Sequence, residues 1–234
     1  MIEKKLKRGT IENDKKIVFL AAGRNTSLTT EDRHKLAEII RRVSYKEGGP
    51  FPLSSGKVSS FYFDMKKTML NPEGLKLIAL WMSEKIIESK ATAIGGIELG
   101  AIPVVSPTML ELFNQGIKIN SFIVRKKPKE HGTKNKIEGH LDSSDRVIIV
   151  DDVITTGRSI LEAICAVEDR GAEVLKVLCL VDREDEKSSQ LEKYSIEPLF
   201  TATDFKSIPK EGEEKSDGRK NSETETNSRK RAIR

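Results

Sequence analysis

The stretch RVIIVDDVITTGRSI, residues 146–160, constrains the fold of this chain more than any other. Val147-Ile148-Ile149-Val150 is too uniformly apolar for a strand with one wet face, and suits a strand buried on both sides within a parallel sheet. Two carboxylates follow at once, Asp151 and Asp152. Val153-Ile154-Thr155-Thr156-Gly157-Arg158-Ser159 then leads into a helical pattern. Ligands of open α/β sheets bind beyond the carboxyl ends of the strands. Backbone N–H groups at a helix start, helped by the helix dipole, attract phosphate. Thr155, Thr156 and Ser159 add hydroxyl donors, and Gly157 lets the backbone come close. The aspartates cannot bind phosphate, but they can accept hydrogen bonds from sugar hydroxyls or lie near Mg2+. Taken singly, these residues read as an ordinary strand-to-helix turn with Asp and Thr as caps. Together, phosphate donors beside carboxylate acceptors describe a ribose-phosphate site.

The rest of the chain alternates as such a strand requires. Thr29 with Asp32 three residues on forms an N-terminal cap, and Leu36, Ile39, Ile40 and Val43 recur at helical spacing until Gly48-Gly49-Pro50. Residues 54–57 read as a hairpin turn and Phe61-Tyr62-Phe63 as a strand. Asn71-Pro72 opens a second helix, with proline at its first position. Further strands are expected over 91–94, 119–124, 146–150 and 173–181, and helices over 101–114 and 156–170. Gly95-Gly96 is expected as a turn, and 125–139 as a long polar loop. Alternating strands and helices predict an α/β fold with a mostly parallel sheet flanked by helices.

Composition narrows the class. At 234 residues the chain holds one domain with tails: an extension over 1–28, a domain over 29–206, and a polar segment over 207–234. The apolar run at 17–22 fits a strand or a helix turn equally well. Residues 207–234 contain only Ile208, Ala232 and Ile233 as apolar residues, too few to offset the entropy of ordering, and are expected to be disordered. No apolar run approaches the roughly 20 residues that span a bilayer, and the N-terminus lacks the apolar core of a secretory signal, so a cytoplasmic location is expected. Cys165 and Cys179 belong to no C-x-x-C or Cys/His cluster, which excludes a disulfide scaffold and a zinc module. The net charge of +5 comes from 41 basic against 36 acidic residues, an excess too thin to mark a nucleic-acid surface.

The string from Asp151 to Ser159 resembles the phosphoribosyl pyrophosphate (PRPP) signature of the type I phosphoribosyltransferases. Three further segments are similar to the orotate phosphoribosyltransferase family. Arg125-Lys126-Lys127-Pro128-Lys129-Glu130-His131-Gly132 resembles the catalytic loop of that family, and its chemistry fits. Ammonium groups and a guanidinium stabilise the charge that develops on a departing pyrophosphate, and a long polar loop can shield the reaction from water. Gly95-Gly96-Ile97-Glu98-Leu99-Gly100-Ala101-Ile102-Pro103 resembles the loop that meets the pyrophosphate, with Leu99 where some members carry lysine. Arg183, after Leu180-Val181-Asp182, stands where the family's arginine meets the orotate carboxylate. On its own it reads equally as a surface arginine pairing with Glu184, Asp185 or Glu186. Residues 29–70 resemble the hood over the base, with Ser54 where some members have lysine. Tyr62 and Phe63 there either stack on the pyrimidine or serve as packing.

The resemblance implies the type I phosphoribosyltransferase fold with a small N-terminal hood, and transfer of phosphoribosyl from PRPP to orotate. It implies that Lys126, Lys129 and His131 are catalytic, and that they bind PRPP together with Arg125 and residues 151–159. Thr155, Arg183, Tyr62 and Phe63 would hold orotate. Mg2+ would be held mainly by PRPP, with no direct protein ligand, and the sites would be shared across a homodimer. Two alternatives share the PRPP string: transfer to another base, and a non-catalytic PRPP-sensing regulator that binds nucleic acid.

Overall fold

The computed structural model describes residues 27–53, 56, 58–127 and 136–206. The chain runs α1 (Thr30–Val43), β1 (Tyr45–Pro52), β2 (Val58–Phe63), α2 (Lys66–Met69), α3 (Pro72–Ser89), β3 (Ala93–Ile97), α4 (Ile102–Asn114), β4 (Asn120–Val124), β5 (Ile137–Gly139), β6 (Arg146–Ile154), α5 (Arg158–Glu168), β7 (Glu173–Asp182), a 3-10 turn (Ser189–Leu191), β8 (Ile196–Thr201) and α6 (Ala202–Lys206). A six-stranded sheet has the order β5-β4-β3-β6-β7-β8. All its described pairings are parallel except β4 with β5. The β1–β2 hairpin forms a separate antiparallel sheet.

The sheet is buried on both faces, and side chains along its central strands alternate between two cores. Ile94, Ile148, Val150, Leu178 and Leu180 face the core shared with α1, α3 and α4. Ala93, Val147, Ile149, Val177 and Cys179 face the one covered by α5. This is the period of two expected of strands, and it explains the unbroken apolar run of β6. Fully burying one such aliphatic side chain contributes about 1.5–3 kcal/mol, so these two layers fix the central strands and with them the strand ends that carry the site.

Helix starts follow the local chemistry. Thr29 and Asp32 form a reciprocal capping box at α1. The Asn71 side chain accepts from the backbone of Glu73 and Gly74, with Pro72 opening α3. Cations on α1 reach the end of the chain's described part: Arg33 donates to the carbonyl of Leu199, and Arg41 to that of Phe205.

Several elements depart from the sequence expectation. Gly48-Gly49-Pro50 does not end α1, which stops at Val43, but lies within β1, where the pairing with β2 shifts between Glu47 and Phe51. Gly95 and Gly96 lie inside β3 rather than in a turn. A β-carbon would meet the carbonyl of Phe122 at 2.4 Å from Gly95 and that of Val150 at 2.1 Å from Gly96, so the neighbouring strands leave no room for a side chain. β6 continues through the two aspartates to Ile154, and α5 starts at Arg158 because Gly157 takes a left-handed conformation, φ 77°. β5, β8, α2 and α6 were not anticipated. The hairpin-turn expectation at 54–57 lies largely outside the described residues, as do those for 1–26 and 207–234.

Candidate active site

The carboxyl end of β6 opens onto two adjoining cavities of about 430 and 360 Å³, which share Lys126, Asp151, Thr155 and Ser159 in their walls. The larger is bounded by Thr155, Thr156, Gly157, Arg158 and Ser159. Gly157 caps α5 with no side-chain hydrogen bond to the helix's first turn. The amide groups there, which a capping side chain would otherwise occupy, are thus left for an anion, with the positive end of the helix dipole behind them. The loop is braced from below, since Ser188 donates its backbone N–H to the carbonyl of Thr156 at 3.1 Å and Arg183 donates its own to that of Ile154 at 3.0 Å. Ile154 itself is buried, so of residues 153–159 it contributes backbone rather than side chain.

Asp151 lines both cavities and Asp152 the smaller one. Oδ1 of Asp151 accepts the Asp152 amide at 3.0 Å, and Oδ1 of Asp152 accepts the Val153 amide at 2.9 Å. One oxygen of each carboxyl group is therefore engaged by the strand backbone, and the two side chains also bond each other. Burial, followed by the charge of Asp152, pushes the Asp151 pKa well above the carboxylate range. Burial also raises Asp152, opposed by the Val153 amide and by Lys66. Lys126 acts on Asp151 in the opposite sense to Asp152.

The smaller cavity reaches the hairpin and is lined by Leu53, Tyr62, Lys66, Glu98 and Arg183, among others. The Phe63 ring is 4% exposed and sits among Tyr45, Phe61 and Phe205, at centroid distances of 5.0, 5.9 and 5.1 Å. Phe63 borders the cavity, but of the two expected stacking rings Tyr62 is the more exposed, with Phe51 5.9 Å away. Arg183 is no surface residue: it is 5% exposed. Its Nε donates to Asp185 at 3.1 Å, one terminal nitrogen to Ser59 Oγ at 3.0 Å and the other to the Phe61 carbonyl at 3.4 Å, while the guanidinium lies 4.5 Å from the Phe61 ring centre. Three of its five N–H groups are thus engaged, two of them tying the hairpin to the end of β7, which leaves two for the cavity.

Other expected residues fall differently. Lys126 lines both cavities, and its backbone N–H donates to Glu98 Oε1 at 3.0 Å. Arg125 borders neither of the two cavities. Its side chain donates to the Lys127 carbonyl at 3.3 Å and stands 3.8 Å from Glu138, because β5 pairs with β4 alongside it. Lys129 and His131 lie outside the described residues. Sequence reasoning missed Lys66, Glu98 and Lys127 as side chains of the cavities. Lys127 sits inside the recognised loop and Glu98 inside the glycine-rich motif, so both were in view. Lys66 had no motif to mark it.

A phosphoribosyl transferase domain model matches residues 67–209. The orotate phosphoribosyltransferase of Methanocaldococcus jannaschii is 40% identical over 179 residues, covering 76% of this chain and 98% of that protein. That of Aquifex aeolicus is 41% identical over 172 residues, covering 73% and 93%. Among solved structures, Mycobacterium tuberculosis orotate phosphoribosyltransferase in complex with Fe(III) dicitrate aligns with TM-score 0.64 at 35% identity, over 74% of this chain and 98% of that one. The same enzyme in complex with PRPP aligns with TM-score 0.60 at 32% identity, over 75% and 99%. With its paired aspartates and uncapped helix start at the end of β6, the chain belongs to the orotate phosphoribosyltransferase family of phosphoribosyl transferases.

Proposed function

We propose that the protein transfers the phosphoribosyl group of PRPP to orotate, yielding orotidine 5′-monophosphate and pyrophosphate. The observation that carries this reading is the juxtaposition at the end of β6: an uncapped helix start suited to a 5′-phosphate, beside two adjoining aspartates suited to ribose hydroxyls. The loop from Thr155 to Ser159 holds the 5′-phosphate, and Asp151 and Asp152 hold the ribose. Tyr62 and the two remaining N–H groups of Arg183 meet orotate in the smaller cavity. Lys126 faces the pyrophosphate, joined by Lys129 and His131, which the sequence motif assigns to the same task. Positioning and electrostatic stabilisation of the leaving pyrophosphate supply the acceleration.

Mg2+ fits this donor set as a passenger on PRPP. Asp151 and Asp152 place carboxyl oxygens beside the position proposed for the ribose, where a PRPP-borne ion could approach. Bound there, the ion neutralises pyrophosphate charge. A homodimer with shared sites accords with the unpartnered apolar side chains of and beside α4: Leu99, Leu110 and Phe113 are each more than 60% exposed. No helix among the described residues is long and apolar enough to cross a membrane. The tail over 207–234 is proposed to be dispensable for turnover.

The test is an assay with PRPP and Mg2+ that follows loss of orotate absorbance, with hypoxanthine, adenine and uracil as parallel acceptors. Turnover with orotate alone is expected. Turnover with another base would overturn the acceptor assignment, and PRPP binding without turnover of any base would replace the enzyme by a regulator.

A further inference from the structure

Two aspartates at the end of β6 must work side by side, and each shares a cavity wall with a lysine from a different part of the chain. Lys126, which follows β4, lines both cavities together with Asp151. Lys66, on the one-turn helix α2, lines the smaller cavity together with Asp152. Lys126 belongs to the recognised loop, but nothing in the sequence pointed to Lys66.

The setting of Lys66 is specific. Met65, Thr68 and Met69 are fully buried, and Thr68 shares a 2.7 Å hydroxyl contact with Ser44 at the end of α1. The backbone of α2 is therefore anchored by residues other than Lys66. Its ammonium stands 3.2 Å from Oδ1 of Asp64, and its side chain remains 50% exposed as it lines the smaller cavity together with Asp152. Burial works against the charge of Lys66, but the contact with Asp64 and the field of Asp152 outweigh it and hold the lysine pKa above its ordinary value. The neighbouring Lys67 does not line the cavity.

We propose that Lys66 is a positioning residue for the ribose site: its ammonium group orients and charge-balances Asp152 for the ribose hydroxyls, as the counterpart of Lys126 beside Asp151. Asp151 is the member of the pair pushed toward its protonated form, so Asp152 is the one left to accept hydroxyl hydrogen bonds as an anion, and a cation at the same wall favours that charged form. Asp64 is the tether that holds the Lys66 ammonium at the wall of the smaller cavity. The inference rests on the PRPP reading above and extends it to a residue outside the recognised motifs.

Lys66→Met and Lys66→Arg test it, with PRPP binding followed by calorimetry in the presence of Mg2+ and both Michaelis constants measured at steady state. Lys66→Met is expected to weaken PRPP by about tenfold, the scale of one lost charge partner at a half-buried carboxylate. KM for orotate should stay within about twofold, and the melting temperature within roughly 2 °C, since α2 keeps its buried anchors. Lys66→Arg should recover most of the affinity. Unchanged PRPP affinity in Lys66→Met, an equal rise in both Michaelis constants, or no recovery by arginine would each overturn the assignment. Wild-type protein that binds no PRPP would instead overturn the phosphoribosyl reading, and this inference with it.

Discussion

A β-carbon on Gly100 would stand 2.3 Å from Oδ1 of Asp151 and 3.2 Å from Oδ1 of Asp152. The turn after β3 thus packs its bare backbone against the carboxylates at the end of β6. The obstacle is the tip of a side chain rather than backbone, so a methyl group there can be accommodated by turning Asp151 aside. Gly100→Ala is therefore expected to fold normally, with a melting temperature within roughly 3 °C of wild type, and to lose PRPP affinity by tenfold or more on the order of one displaced hydrogen-bonding group. Calorimetry with PRPP alongside a thermal melt separates the two effects. A variant that binds PRPP normally would remove Asp151 from the ribose site.

The raised pKa of Asp151 makes a prediction with a definite sign. A carboxyl whose folded-state pKa lies above its unfolded value contributes stability that is fully present below about pH 4, and lost as pH rises through the raised value. Wild type should accordingly lose stability toward alkaline pH from this group, whereas Asp151→Asn, uncharged throughout, should not. The melting temperature of Asp151→Asn relative to wild type should increase between about pH 5 and pH 9, while its PRPP affinity falls. A difference that is flat across this range would show that the folded protein does not hold the Asp151 proton.

Arg183 joins Ser59 and the Phe61 carbonyl in the hairpin to Asp185 beyond β7. A lysine cannot reproduce three divergent donors, and it leaves partly buried acceptors without this partner. Arg183→Lys should raise KM for orotate by about tenfold or more and speed amide hydrogen exchange in β2, while PRPP affinity changes less. Rapid exchange without a change in KM would make Arg183 a structural clamp alone, with no part in orotate binding.

The central strands and the phosphate loop could be read from the chain because their signals are local: an apolar run, two carboxylates, a glycine before a helix. β8 could not, because Pro198 within Ile196–Thr201 interrupts a strand pattern. The structure tolerates it since β8 lies at the sheet edge, where a missing N–H breaks no ladder on the outer side. β1 hid behind Gly48-Gly49-Pro50, which reads as a helix stop and becomes the irregular part of a hairpin only once β2 is there to pair. Lys66 is a different kind of omission. Asp64-Met65-Lys66-Lys67 looks like any polar strand-to-helix junction, and only tertiary packing brings one of the two lysines to the wall that carries Asp152, a residue 86 positions away in the numbering. Arg125 shows the reverse: the motif placed it at the pyrophosphate, while the pairing of β4 with β5 sets it beside Glu138.

Gly157 lines the larger cavity and Gly100 the adjoining smaller one, and the same substitution should act at Gly157 in another way. Gly157 has φ 77°, a conformation that costs other residues about 1–3 kcal/mol, and a β-carbon would stand 2.0 Å from Cδ1 of Leu191. Leu191 is 2% exposed within the core under α5, so it cannot swing into solvent as a carboxylate can. Gly157→Ala must therefore distort either the loop or the core. It is expected to lower stability by about 2 kcal/mol or more and to weaken PRPP as well, because the loop it distorts is the one expected to hold the 5′-phosphate. Chemical denaturation and PRPP calorimetry on Gly100→Ala and Gly157→Ala side by side would show binding lost without stability in the first and both lost in the second. If Gly157→Ala kept wild-type stability, the left-handed turn at the start of α5 would not be required by the fold, and the loop would owe its shape to the ligand instead.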